Sequence, residues 1–270
     1  AGLKGTLGGG YNDIVSDGIY QGSLTWGRKF GPEDKWGFLI GGNYYKTNRG
    51  SNNNEFAYDD DVIEEFENRD YLVNRTRWGF SGTLDYKFHE NSGIWVTGLY
   101  SSFEDEETRR RIVWIPEAGD YTGNYSAAGG EIERELKDRD ETQTIYSIVF
   151  GGDHTLQNSM NIDYSLAFSH AEEEEPNRRD AVFLMEDADM SWTRDNDFPS
   201  WTVTNGLDPF DASNFGFDEL VFEDNFTEDN EFAGQINFEV PFSWNGSAGN
   251  FKFGGKLRAR DKDRANNAEI

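Results

Sequence analysis

The chain has 270 residues, 51 acidic against 25 basic, and a formal net charge of -26. A charge this negative argues against nucleic acid as a partner, because phosphate binding needs lysine and arginine. The absence of cysteine excludes disulfides and thiolate metal sites, and three scattered histidines argue against zinc.

The first expected strand has Leu3, Gly5, Leu7 and Gly9 alternating with Lys4, Thr6 and Gly8. Successive side chains of a strand point to opposite faces, so this pattern sorts apolar from polar groups. Residues 12–18 read as a turn rich in Asp, Asn and Gly. Tyr20, Gly22, Leu24 and Trp26 then alternate with Gln21, Ser23 and Thr25. A tight turn at 31–34 leads to Trp36, Phe38, Ile40, Gly42 and Tyr44 on one face of a third strand, with Leu39 and Tyr45 interrupting its polar side. Residues 46–74 read as a long polar loop. A fourth strand sets Trp78, Phe80, Gly82, Leu84, Tyr86 and Phe88 against a polar face that carries Asp85 and Lys87.

After a short turn at 89–93, residues 94–103 form a fifth strand with mixed faces. Residues 104–141 read as a second long insertion, in which 110–114 and 131–137 continue the flanking strands as a charged hairpin. Tyr146, Ile148, Phe150 and Gly152 resume the alternation, with Asp153 on the polar side. Residues 160–170 carry it most clearly: Met160, Ile162, Tyr164, Leu166 and Phe168 against Asn161, Asp163, Ser165, Ala167 and Ser169. Residues 171–230 are the longest insertion. Two further strands follow, Phe232 to Phe242 and Phe251 to Ala259, the latter opposing Lys252, Lys256, Arg258 and Arg260.

The result is about nine strands of ~9–11 alternating residues, the number that a tilted strand needs to cross a bilayer. Short turns near Pro32, Asn91, Gln157 and Gly246 alternate with long connections near Asn53, Gly123 and Asn205, and the first connection, near Ile14, is a short one of the long class. Outer-membrane barrels put short turns on the periplasmic side and long loops outside. A soluble β-sandwich has no reason to gather its long loops at one end. Aromatics at 15% with hydrophobic content of only 36% also suit a sheet with one apolar face. The fold expected is all-β, an antiparallel transmembrane β-barrel. Because a sheet of nine strands would leave two edges unpaired in lipid, the chain is expected to be part of a larger barrel.

Three segments resemble one family: L-K-G-T-L-G-G-G-Y-N-D at the start, K-W-G-F-L-I-G-G-N-Y-Y-K-T-N-R-G-S-N-N, and D-N-F-T-E-D-N-E-F-A-G-Q-I-N-F-E-V-P-F followed by F-K-F-G-G-K-L-R-A-R-D-K-D-R. They are similar to barrel segments of TonB-dependent outer-membrane receptors, in the branch common in Xanthomonas- and Caulobacter-type proteobacteria. The resemblance implies that residues 1–270 are the N-terminal part of a barrel of about 22 strands, without the family's plug, its TonB box and its last strands. It implies location in the outer membrane of a Gram-negative bacterium. It also implies active uptake of a scarce ligand, energised by the TonB-ExbB-ExbD complex acting through the plug. The ligand expected is a carbohydrate first, otherwise a ferric siderophore or similar chelate. The alternatives are a passive porin-like channel and a soluble β-sheet binding or adhesion domain.

Candidate ligand-binding residues are the aromatics of the long insertions: Tyr121, Tyr125, Trp192, Trp201, Phe210, Phe215 and Phe217. Such rings stack on sugars or aromatic ligands, and equally pack a loop against its neighbours. Asp85, Lys87, Asp153, Asp163, Lys256 and Arg258 are expected to line a lumen, and Trp26, Trp36, Trp78 and Trp95 to form interfacial girdles. Asp59, Asp60 and Asp61 are a weak calcium candidate, since they lack the alternating spacing of a calcium loop. No nucleophile triad, phosphate loop or isolated carboxylate pair stands out, so no enzyme and no cofactor are expected.

Overall fold

In a computed structural model, residues 1–60, 62–157, 159–193 and 199–269 are described. The chain forms one antiparallel sheet of eleven strands. Nine are long and follow one another across the sheet: β1 (Gly2–Asn12), β2 (Asp17–Phe30), β3 (Trp36–Asp59), β4 (Val62–His89), β5 (Ser92–Ile115), β7 (Ser126–Thr155), β8 (Asn161–Trp192), β10 (Gly216–Trp244) and β11 (Ser247–Glu269). Two are short: β6 (Asp120–Gly123) pairs with β7, and β9 (Trp201–Val203) pairs with β8. Among the described residues β1 pairs only with β2 and β11 only with β10, so the sheet has two edges.

The three polar insertions are corrected here. Residues 46–59 are the second half of β3, and 62–74 the first half of β4. Most of 104–141 and 171–230 likewise continues β5, β7, β8 and β10. β8 runs for 32 residues, about 100 Å at the usual rise, against the ~9–11 residues that a bilayer needs. The extensions are strands because their alternation persists with charge in place of apolar groups. Opposite charges then meet across the ladder, as they do directly between neighbouring strands elsewhere.

The register aligns the apolar faces of all nine long strands. One row runs Leu3–Trp26–Ile40–Gly82–Gly98–Ile148–Phe168–Phe232–Ala259. Rings flank this band at both ends. On the side of the long connections Trp78 meets Tyr100 at 5.0 Å and Tyr146 meets His170 at 4.7 Å. On the side of the short turns Trp36 meets Tyr86 at 4.5 Å and Phe238 meets Phe253 at 5.2 Å. No second layer covers the band among the described residues: Leu7, Leu257 and Leu166 are 91%, 77% and 63% exposed. A sandwich would bury this face. Trp26, Trp36 and Trp78 lie on it, Trp26 near mid-height rather than at an end. Trp95 does not: it opposes Asp85 and Gly151 on the polar face, and a Cβ on Gly151 would fall 2.4 Å from its ring.

Burial is concentrated at the far ends of the tall strands. Ile63, Phe66, Trp114, Ala127, Ile132, Met185, Ala188, Met190 and Trp192 form one cluster. Register places Phe66, Trp114, Ile132 and Met185 in a row on the side of the apolar band. The connection between β8 and β10 folds over them, packing Trp201, Val203, Leu207 and Phe215 on top.

Candidate functional site

The face opposite the apolar band is built from small and polar groups. Register puts Asp85, Lys87, Asp153, Asp163, Lys256 and Arg258 on it. Asp163 accepts a hydrogen bond from Asn237 Nδ2 at 2.7 Å, and Arg258 pairs with Glu231 at 2.6 Å. Lys252 pairs with Glu239 at 2.8 Å in the same way. Asp153 and Asp163 oppose each other directly across β7 and β8.

Above the band this face becomes a wall of paired charges. Arg75 makes a two-pronged contact with Asp105, Nε at 3.1 Å and Nη2 at 2.7 Å. Asp105 is only 3% exposed. Arg139 stands among Asp105, Glu107, Glu141 and Glu175 at 3.2 to 3.6 Å. Higher still, Arg111 donates to Glu67 at 2.9 Å and also pairs with Glu135, while Arg69 bridges Glu67 and Glu55. Planar guanidinium forks suit such bridging better than lysine would.

Carboxylates outnumber cations at the top of the wall, and their acidities diverge. Burial, the neighbouring Glu135 charge and the hydrogen bond that protonated Glu133 donates to it push Glu133 up to about 7, against the pull of Arg111. Burial and the hydrogen bond to Glu67 raise Glu65. Burial opposes ionisation of Glu67 as well, but hydrogen bonds from Arg69 and Arg111 hold it below the usual range.

The loop aromatics divide. Trp192 is buried, and Trp201 stacks on Phe66, Trp114 and Trp192 at once. Arg134 lies 5.1 Å from the Phe215 ring and 5.8 Å from that of Phe210. Phe217 meets Phe183 edge-on at 5.9 Å and is 64% exposed; Phe210 is 76% exposed. Tyr121 donates its hydroxyl to the Ile63 carbonyl at 2.7 Å, and the Tyr125 carbonyl accepts from the Trp192 amide. Trp192, Trp201 and Phe215 are therefore brought together as packing for the β8–β10 connection. Tyr125, Phe210 and Phe217 keep exposed rings, and none of these groups meets the charged wall. Asp59 ends β3, Asp60 occupies the following turn, and Asp61 lies outside the described residues.

The charge wall itself is not among the residues that composition singles out. Its signal is the spacing: Arg69, Arg75, Asp105, Glu107, Arg111, Glu135 and Arg139 all fall at odd numbers, hence on one face of β4, β5 and β7. Fold and faces together define an all-β protein built on one tall, two-faced antiparallel sheet. Compared with known proteins, the chain matches no family model and no curated sequence.

Proposed function

We propose that the chain is part of an outer-membrane β-barrel receptor for TonB-dependent active uptake of a scarce ligand. A carbohydrate is the first choice of ligand, and a ferric siderophore or similar chelate the second. The observation that carries this reading is the uncovered apolar band, continuous across nine strands and flanked by rings at both ends. Hydrocarbon is the solvent that such a band suits. In lipid the two edges of the sheet must be paired, so β1 and β11 join further strands into a closed barrel, of about 22 strands if it follows the family that its segments resemble. The short turns then face the periplasm and the tall hairpins stand outside the cell. The polar face lines the lumen, and TonB-ExbB-ExbD acts through a plug.

The test is uptake with the energy source under control. A strain lacking the gene is expected to grow like its parent on abundant oligosaccharide and to fail when the same sugar is scarce. An uncoupler that collapses the proton gradient is expected to reduce the parent to the deletion strain's level. Uptake that persists with the gradient collapsed would instead indicate a passive channel, and protein found in the soluble fraction would overturn the membrane reading.

A further inference from the structure

Most arginines of the charge wall are matched by carboxylates: Arg69, Arg75, Arg109, Arg111 and Arg139 each face at least one. At the foot of the wall two are not. Arg49 and Arg77 are exposed, and among the described residues neither has an acidic group within ion-pair distance.

The neighbours of these two cations hold them in place without neutralising them. Tyr45 and Arg77 oppose each other directly across β3 and β4. Arg49 lies on the same face of β3, four residues on, and its Nη2 donates to the Tyr45 hydroxyl at 3.0 Å. The Tyr45 hydroxyl, which Thr47 also approaches, keeps a proton of its own to donate. Arg77 rests over the Phe103 ring at 4.5 Å, a contact that leaves in-plane N–H donors of the guanidinium available. The nearest carboxylate of the wall, Asp105, is taken up by Arg75. Beyond Phe103 in the same row, Gln143 holds Glu141 and Glu173 at 2.6 and 2.9 Å. The carboxylates nearest in the ladder are thus engaged by other groups, and the donors of Arg49 and Arg77 are left without an ion-pair partner.

We propose that Tyr45, Arg49 and Arg77, with Phe103 positioning Arg77, form a binding site for an oxyanion, the carboxylate or phosphate of a small-molecule ligand. Two guanidinium forks and a phenolic hydroxyl supply enough donors for the two oxygens of a carboxylate or the three of a phosphate. The site deepens the receptor reading and rests on it for the ligand's route, because the polar face is the lumen only in a closed barrel. Binding itself does not require transport.

The experiment is calorimetric titration of the full-length protein that carries this sequence, folded in detergent, with three probes: trigalacturonate, inorganic phosphate and neutral maltotriose. At least one of the two anions is expected to bind more tightly than maltotriose, and which one does so separates a sugar acid from a phosphate. Arg77→Gln and Arg49→Gln are each expected to weaken that anion about tenfold or more, and Tyr45→Phe by a smaller factor. Arg110→Gln, exposed on the opposite face of β5, is expected to leave it unchanged. Retained β-sheet circular dichroism confirms that each variant is folded. The proposal is overturned if neither anion binds the parent protein, or if Arg77→Gln binds as the parent does. Energised uptake alongside absent anion binding would sink this site alone, and anion binding alongside uncoupler-resistant uptake would sink only the receptor reading.

Discussion

Trp201 lies flat against Phe66, ring centroids 5.2 Å apart and planes within 6°. The two residues are far apart in sequence, and their contact fastens the β8–β10 connection to the hairpin of β3 and β4. Trp114 and Trp192 complete the stack. Trp201→Ala removes the shared ring, a change that in a packed cluster costs about 3–5 kcal/mol. The loss is expected to be local, because the remaining strands do not depend on this connection. Limited proteolysis should show cutting within residues 199–215 many times faster than in the parent, with the rest of the chain resistant. Unchanged cutting would mean that the stack does not hold the loop.

Asp105 carries the most buried charge of the wall, accepting both prongs of Arg75 and standing 3.6 Å from Arg139. Asp105→Asn keeps the shape and removes the charge. Hydrogen bonds to charged groups contribute about 1.5–3 kcal/mol, and partial exposure of Arg75 places the expected loss toward the lower end. Urea unfolding in detergent measures it. In a double-mutant cycle with Arg75→Gln the two losses should fall well short of adding. Simple additivity would show that the pair is not coupled.

Glu133 gives the wall a pH dependence of defined sign. Burial and the adjacent Glu135 raise its pKa in the folded protein to about 7, from the 4.5 of an ordinary glutamate. The folded state therefore holds the proton more tightly than the unfolded one. Stability from this group is complete below the unfolded value and is lost as pH rises through 7. Discounted for partial exposure, the loss is on the order of 1 kcal/mol, or about 2–4 °C in the melting midpoint. The melting temperature is expected to fall between pH 5 and 8, and Glu133→Gln should flatten that slope and melt higher than the parent at pH 8. A parent whose midpoint rises over this range would contradict the assignment.

The nine long strands are legible in the sequence wherever the alternating residue is apolar, as at Tyr164, Leu166 and Phe168, because burial or lipid rewards that period directly. The extensions are hidden because their alternating residues are arginine and glutamate, which composition alone assigns to solvated loops. Arg110 to Trp114 and Glu131 to Lys137 betray theirs as the charged arms of one hairpin, in which Arg111 and Glu135 meet across the ladder. Residues 46–59 lack that clue, since Asn52, Asn53 and Asn54 disfavour strands and are carried by pairing with β4. The bulges at Pro176 and Asn177 are also illegible as strand, for proline reads as a stop, yet the ladder with β10 resumes on either side of them. Among the loop aromatics, no local signal separates Trp201, which packs, from Phe217, which does not. That difference depends on Phe66 and Trp114, which are distant in the chain.

The orientation of the two faces can be tested on adjacent residues of one strand. Leu166 sits mid-band on β8, 63% exposed, with Phe150 and Gly234 beside it on the neighbouring strands. Ser165, one residue earlier, points to the polar face between Gly151 and Gln235. If the band meets hydrocarbon, Leu166→Arg puts a guanidinium near the bilayer midplane at a cost of about 2–4 kcal/mol, while Ser165→Arg leaves it in water. Folding into lipid vesicles, followed by the gel mobility of unheated samples, should show Leu166→Arg impaired and Ser165→Arg close to the parent. The reverse result would turn the sheet inside out and bring the apolar band to the interior. Equal insertion of both would remove the band from lipid altogether.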